Sequence, residues 1–318
     1  MRKTIIDIGT NTILMLIADY DESNSAVKAV IDIQRVPRLG KGVDSNRNIL
    51  PESIEKAIAI LNEYKAISNK HNSSVIKATA TSFIRDSNNK DGFIETIKSK
   101  TGIEIEILSG EDEARWTFWG GIFDKLRNNS YYNITTIDIG GGSTEITTAL
   151  DIPSILNKST LLDHLIQGKS FNVGSVRLNE KFLINHPPAY SDIAEAEQFI
   201  TNQFENLDFD IKNSGLIGVA GTITTLGAMK LELDSFIAEK VDGLVLTIND
   251  IEHILNKLVL LNLEEIYSMG NYMEGRADII LPGTIILKCF MNKFGFKKVL
   301  VRTKGLRYGV FLRECIYV

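Results

Sequence analysis

Two stretches of the chain repeat one motif: IIDIGTNTILMLIADYD from Ile5 to Asp21, and TIDIGGGSTEITTALD from Thr136 to Asp151. In each, an apolar run ends in Asp-Ile-Gly, passes through small hydroxyl or glycine residues, and re-enters an alternating run. That pattern reads as strand, tight turn, strand. The chain is therefore expected to be duplicated. A carboxylate inside an apolar strand costs several kcal/mol unless something compensates it, so Asp7 and Asp138 each call for a metal, backbone N–H groups or a polar ligand. Glycine and Ser/Thr beside each Asp supply the remainder of a phosphate cradle, because amides approach an anion closely only where side chains are small.

At 318 residues the chain is long for one core, so two domains are expected. A net charge of -5 argues against a general nucleic-acid binder, and any anion site must be a local basic cluster. The first residues, MRKTIIDIGTNTILMLIA, resemble a signal segment in their basic tip, but Asp7 and Asn11 interrupt the apolar part, which reads as a strand. No run of membrane-spanning length follows, and the two cysteines, Cys289 and Cys315, suit a reducing cytoplasm.

Along the chain, the first hairpin leads through the turn-rich QRVPRLGKGVDSNRNILP to a helix behind Pro51, a strand at SVIKATAT, a helix over 88–100, a strand at IEIEIL and a helix capped by Ser109. The polar KLRNNS, residues 125–130, is read as a hinge. The second half repeats the hairpin and crosses a stretch without clear periodicity. It continues with a helix from Ser191, a buried strand and helix at SGLIGVAGTITTLGAM, a helix capped by Thr247 with Asp250, and a helix over RADIILPGTIILKCFMNKF that Pro282 is expected to kink. Alternating strands and helices imply an α/β fold with a mixed sheet in each half.

Asp138 and Glu145 lie seven apart across the second turn, which suits a divalent cation held by one or two carboxylates plus phosphate oxygens. Taken alone, Glu145 equally suits a solvent-facing edge position and Asp138 a turn. Gly140, Gly141, Gly142 and Ser143 are more glycine than a hairpin needs, pointing to close ligand approach. Gly221 and Thr222 fall at a strand-to-helix turn whose N-terminus attracts anions. Glu111, Asp112 and Glu113 suit a first helical turn without any catalytic task, yet one of them in SGEDEAR could take a proton from water. Of the loop cations Arg35, Arg38, Lys41, Arg85 and Arg177, Arg85 is the preferred phosphate ligand. The four histidines have no metal-ligand spacing and no nucleophilic partner.

With DIGTNT, RLGKGVD, KATATSFIRD, SGEDEARW, DIGGGSTE, NVGSVRLNEKF, AGTITTLGA, RADIILPG and TKGLRYGV in this order, the chain resembles the exopolyphosphatase and guanosine pentaphosphate phosphohydrolase family nearly end to end. The resemblance implies two actin-like ATPase (ribonuclease H-like) domains with an interdomain cleft, over 1–125 and 126–303, with about 304–318 packing back on the first. It implies Glu113 as the general base that activates water. Asp138 and Glu145 would hold Mg2+ or another divalent cation. Asp7, Thr10, Asn11, Thr12, Arg85, Gly140, Gly141, Gly142, Ser143, Gly221 and Thr222 would bind phosphate, with Asp7 also supporting the attacking water or the metal.

The implied reaction is hydrolysis of the terminal phosphate of inorganic polyphosphate. Guanosine pentaphosphate is the nearest alternative; an actin-like ATP-binding protein or a sugar-kinase relative is more remote. The resemblance further implies a cytoplasmic homodimer without nucleic-acid or membrane partners. Two departures stand out. The chain stops at Val318, short of the C-terminal helical domain of longer members, and NYMEG precedes RADIILPG where Leu-Asp-Pro-like residues are usual.

Overall fold

The computed structural model describes residues 2–23, 26–43, 47–73, 75–124, 133–151 and 166–316, so the hinge assigned to 125–130 lies outside the described residues. The chain forms two compact units, Met1–Gly120 with Leu306–Val318, and Gly121–Gly305.

In the first unit, β1 (Arg2–Ile8) and β2 (Ile13–Asp21) form the hairpin, and β3 (Ala26–Arg35) extends it. Helix α1 (Pro51–Lys70), strand β4 (Ile76–Ala80), helices α2 (Ser82–Arg85) and α3 (Lys90–Thr101), strand β5 (Ile105–Ile107) and helix α4 (Gly110–Ile122) follow. The sheet order is β3-β2-β1-β4-β5, antiparallel on the hairpin side and parallel beyond it. Alternation in β1 and β2 turns Ile6, Ile8, Ile13, Met15 and Ile17 into one core with Leu61 and Phe93 from the helices. Asp7 falls on the opposite face.

The second unit repeats this plan. Its hairpin is β6 (Ile134–Ile139) and β7 (Thr144–Ala149), extended by β8 (Ile166–Phe171). Helices α5 (Ser175–Lys181) and α6 (Tyr190–Phe204), strand β9 (Gly215–Val219) and helix α7 (Ala220–Lys230) come next. Strand β10 (Val245–Thr247), helices α8 (Ile248–Leu258) and α9 (Ile280–Phe294) and strand β11 (Lys298–Val301) follow, with short helical turns between them. Read from its far side, the sheet runs β8-β7-β6-β9-β11-β10, the same antiparallel three followed by parallel β9 and β11, with β10 added antiparallel at the edge. Strand β9 is buried at every residue, as a central parallel strand covered on both faces must be.

Three local readings change. β3 continues the first hairpin into a three-stranded meander, where the sequence shows only a connection; its outward Lys28, Asp32 and Gln34 blur the alternation. β8 likewise occupies the stretch without periodicity. Pro282 sits in the first turn of α9, where an N–H has no intrahelical acceptor, so it starts the helix rather than bending it.

The chain re-enters the first unit as α10 (Leu306–Ile316), which packs on β1 and β2. Its arginines clasp both edges of the sheet: Arg307 forks onto Asp32 of β3, and Arg313 forks onto Glu106 of β5 at 2.9 and 2.7 Å. Gly309 lets this helix touch the backbone of α4, since a Cβ there would overlap the Trp116 carbonyl. In the second unit, fully buried Arg302 donates to Gly121 O and pairs with Asp124 and Asp242. Gly309→Ala should destabilise the protein by about 2 kcal/mol or more because backbone cannot yield. Gly92→Ala, with open space at its Cβ, should be neutral or stabilising by roughly 0.5 kcal/mol. Urea midpoints of the two variants measure the contrast.

Candidate active site

The two hairpin turns close in the same way. Gly9 N–H donates to Thr12 O at 2.9 Å, and Gly140 N–H donates to Ser143 O at 3.0 Å. Each turn is then stitched down by its carbonyls. In the second unit Gly140 O accepts from Ser175 N at 2.9 Å, Gly141 O from Val176 N at 2.9 Å and Arg177 N at 3.1 Å, and Gly142 O from Arg177 Nε at 2.8 Å. These peptides are trans, so with the carbonyls turned to α5 the N–H groups of Gly141, Gly142 and Ser143 face the other way. Three successive amides aimed to one side form a concavity for an anion.

None of Gly140, Gly141 and Gly142 has a left-handed φ, so glycine is not required there by backbone conformation. Close approach requires glycine on the facing segment instead: a Cβ on Gly174 would run into the backbone of Gly141 and Gly142. In the first unit the loop after β3 plays the part of α5. Gly40 N–H donates to Thr10 O at 2.8 Å and Arg38 N–H to Asn11 O at 3.1 Å, which turns the amides of Asn11 and Thr12 away from that loop. Arg38 adopts φ 58° to make its bond, a left-handed conformation that costs a non-glycine residue about 1 kcal/mol. Thr10 and Asn11 are buried, and Thr10 Oγ1 shares a hydrogen bond with Ser82 Oγ at 3.3 Å.

The carboxylates differ between the units. In the second hairpin Asp138 lies directly opposite Glu145, so both side chains share a face with Cβ atoms about 5 Å apart. Glu145 is only 2% exposed, which removes the solvent-facing alternative, and Ser170 Oγ of β8 donates to its Oε1 at 2.6 Å. Two like charges opposed across a ladder repel unless a cation lies between or beside them. The pair therefore fits Mg2+, which takes one or two protein carboxylates and completes its shell with water and phosphate. No group of three or more His, Cys, Asp or Glu among the described residues makes an all-protein cage.

In the first hairpin the residue opposite Asp7 is Leu14. Asp7 as a whole is half-buried, but its Oδ1 is sealed from solvent without a hydrogen-bond partner. Burial pushes its carboxyl up from 3.8 to about 6, against the pull of the Arg307 charge.

Glu113, 6% exposed in the first turn of α4, receives a 3.1 Å bond from Arg85 Nη1, which also donates to Leu108 O at 2.9 Å. The structure thus joins the expected base to the expected phosphate ligand. Ser109 caps the helix as read, accepting from Asp112 N at 3.0 Å and holding Asp112 outward with a 2.8 Å bond. Only Glu113 of the three acids is buried.

Gly221 and Thr222 open α7, and Thr222 Oγ1 reaches Ile139 O at 3.4 Å, which sets this helix start beside the end of β6. Ala220 pays for the entry with φ 69°. The guanidinium of Arg276 lies against Gly221, where any Cβ would collide with it, and burial pulls its pKa down to about 10. Arg276 gave no sign of this place in the sequence; only its position at the head of RADIILPG marked the segment. Arg35 turns away to Glu63 and Arg177 is committed in part to Gly142.

Fold and turns together define a two-domain protein of actin-like, ribonuclease H-like architecture, the class implied by the sequence. The chain belongs to the Ppx/GppA phosphatase family, whose sequence model matches residues 16–317. It is 33% identical over 320 residues to a bifunctional 3-dehydroquinate synthase/phosphatase of Fusobacterium nucleatum, covering 98% of this chain but only 46% of that longer protein. It is 26% identical to exopolyphosphatase 2 of Mycobacterium tuberculosis, over 90% of this chain and 89% of the relative. The crystal structure of an exopolyphosphatase-like protein superposes with a TM-score of 0.90 at 26% identity, covering 99% of this chain and 98% of the other.

The Asp7 shift has a stability consequence. The folded state holds a proton more tightly than the unfolded chain, so stability is highest below about pH 4 for this group and falls as pH rises through 6. Asp7→Asn should remove that fall and stabilise the protein at pH 7.5 by about 1–3 kcal/mol, the upper figure being the full two-unit shift undiminished by solvent. Denaturant titrations of both proteins at pH 4.5 and 7.5 check the sign.

Proposed function

We propose that this chain removes the terminal phosphoryl group of inorganic polyphosphate by in-line attack of water. The observation that carries the reading is the pair of identically closed turns, one of which presents three amides on one side beside the opposed Asp138 and Glu145. Amides of Gly141, Gly142 and Ser143 bind phosphoryl oxygens, and those of Asn11 and Thr12 do the same in the first unit. The start of α7, with Thr222 and the Arg276 guanidinium at Gly221, adds a further positive locus in the second unit. Asp138 and Glu145, with Ser170 fixing the latter, hold Mg2+, which when bound neutralises charge on the phosphoryl oxygens.

Glu113 accepts the proton of the attacking water. Its burial keeps bulk solvent from competing, and Arg85 fixes the direction of its carboxylate while offering remaining guanidinium hydrogens to phosphate. Little covalent work is required of the protein, since phosphoryl transfer to water depends on placement and charge neutralisation. Polyphosphate is preferred over guanosine pentaphosphate because curated relatives matching nearly this whole chain, at 22–26% identity, carry the name exopolyphosphatase. No helix among the described residues is long and apolar enough to cross a membrane.

Phosphate release from polyphosphate and from guanosine pentaphosphate, each with and without Mg2+, tests the proposal. Release from polyphosphate should depend on Mg2+, and Glu113→Gln should lower kcat by about 10²–10⁴-fold with little change in KM. Faster turnover of guanosine pentaphosphate would replace the substrate. A fully active Glu113→Gln enzyme would remove the base.

A further inference from the structure

Asp7 needs a compensating charge that its own sheet does not provide. Its strand neighbours are Leu14 on β2 and Thr79 on β4, neither of which titrates. The charge comes from α10, packed over β1 and β2, where Arg307 interacts electrostatically with Asp7. Arg307 is in turn immobilised. Its Nε and Nη2 fork onto Asp32 Oδ1 and Oδ2 at 2.7 and 2.8 Å, and the Tyr308 hydroxyl donates to the same Oδ2 at 2.8 Å.

The sheet register explains how Asp32 reaches this place. Ile5, Leu16 and Asp32 lie side by side across β1, β2 and β3, and Asp7, Leu14 and Gln34 form the next row on the same face. Asp32 is therefore two residues along and two strands across from Asp7 on the face that α10 covers, so a guanidinium fixed at Asp32 adds its charge on Asp7's side of the sheet. A lysine has the charge but not the planar fork that fixes its direction.

We propose that Arg307, pinned by Asp32 and Tyr308, is a positioning residue that supplies a fixed cation to the Asp7 carboxylate and so keeps it charged and oriented at the mouth of the first turn. Asp32 and Tyr308 serve the site only through Arg307. The catalytic consequence rests on the function proposed above; the electrostatic one does not.

The experiment is a pH titration of 13C-labelled aspartate carboxyls by NMR in the full-length protein, the Asp7 signal being assigned by its loss in Asp7→Asn. The same variants are assayed for phosphate release from polyphosphate across pH. In Arg307→Gln the Asp7 midpoint should rise by about one unit or more. Turnover should fall by about twofold or more at pH 7 and by about tenfold well below pH 6, the acid limb of kcat/KM should move up in step, and KM should change little. Arg307→Lys should restore the midpoint in part, and Asp32→Asn should reproduce a smaller version of the Arg307→Gln shift.

A folded Arg307→Gln protein with an unmoved Asp7 midpoint overturns the proposal, as does a loss of turnover with the pH profile unchanged. Should Arg307→Gln fail to fold, Arg307→Lys and Asp32→Asn decide it: an Asp7 signal that titrates as in the parent in both is a refutation. A parent protein that releases no phosphate from polyphosphate or guanosine pentaphosphate overturns the proposed function alone, while the NMR titration still decides the role of Arg307.

Discussion

An acidic side chain at the end of an apolar strand is the constraint around which both units are arranged. The main chain of β1 and of β6 is fully engaged in the ladder, so it offers the carboxylate little relief, and compensation must arrive from elsewhere. The two units solve this differently. In the first, a side chain opposite Asp7 is apolar and a guanidinium comes from α10. In the second, another acid stands opposite Asp138, an arrangement that suits the divalent cation proposed above. A duplicated hairpin has thereby diverged: one copy sets its acid opposite a leucine, and the other sets two acids opposite each other. The retained feature is the closure of the turn, where Gly9 with Thr12 and Gly140 with Ser143 make the same bond.

The glycines of the second turn show how packing and recognition coincide. They are not there for unusual φ values. The missing Cβ of Gly174 allows the start of α5 to come close enough to take up three carbonyls, and that engagement is what turns three amides outward. Removing the helix contact would leave the same residues free to rotate, so the anion-binding surface is a property of the contact and not of the turn sequence alone. Ala220 and Arg38 both hold left-handed conformations at the edges of these surfaces, strain that the surrounding bonds sustain.

What could be read from residues alone follows interaction range. The hairpins, the helix caps at Ser109 and Thr247, and the buried β9 are local patterns, and each appears where its pattern lies. β3 and β8 are edge extensions whose outer positions carry polar residues, so their alternation is weak and their pairing partner decides them. Pro282 was ambiguous because a proline that breaks a helix and one that begins it look alike until the boundary is known. At the site, Asp7 and Asp138 stand out as acids in apolar runs, Glu145 by its spacing across the turn, and Glu113 only through the family resemblance. Arg276, Ser170, Asp32 and Arg307 do not, because each acts through a partner separated from it in sequence, Arg307 and Asp32 by the whole second unit.

The helix that closes the first unit is made only after the whole of the second unit. α10 holds β3 at one end and β5 at the other through Arg307 and Arg313, yet residues 121–305 intervene between it and the sheet it straps. The second unit is continuous and can mature as soon as its own strands leave the ribosome. The first must wait with its helix-facing surface, including Ile5 and Leu16, uncovered until α10 has been made. The unit that begins first is thus the last to have all of its parts.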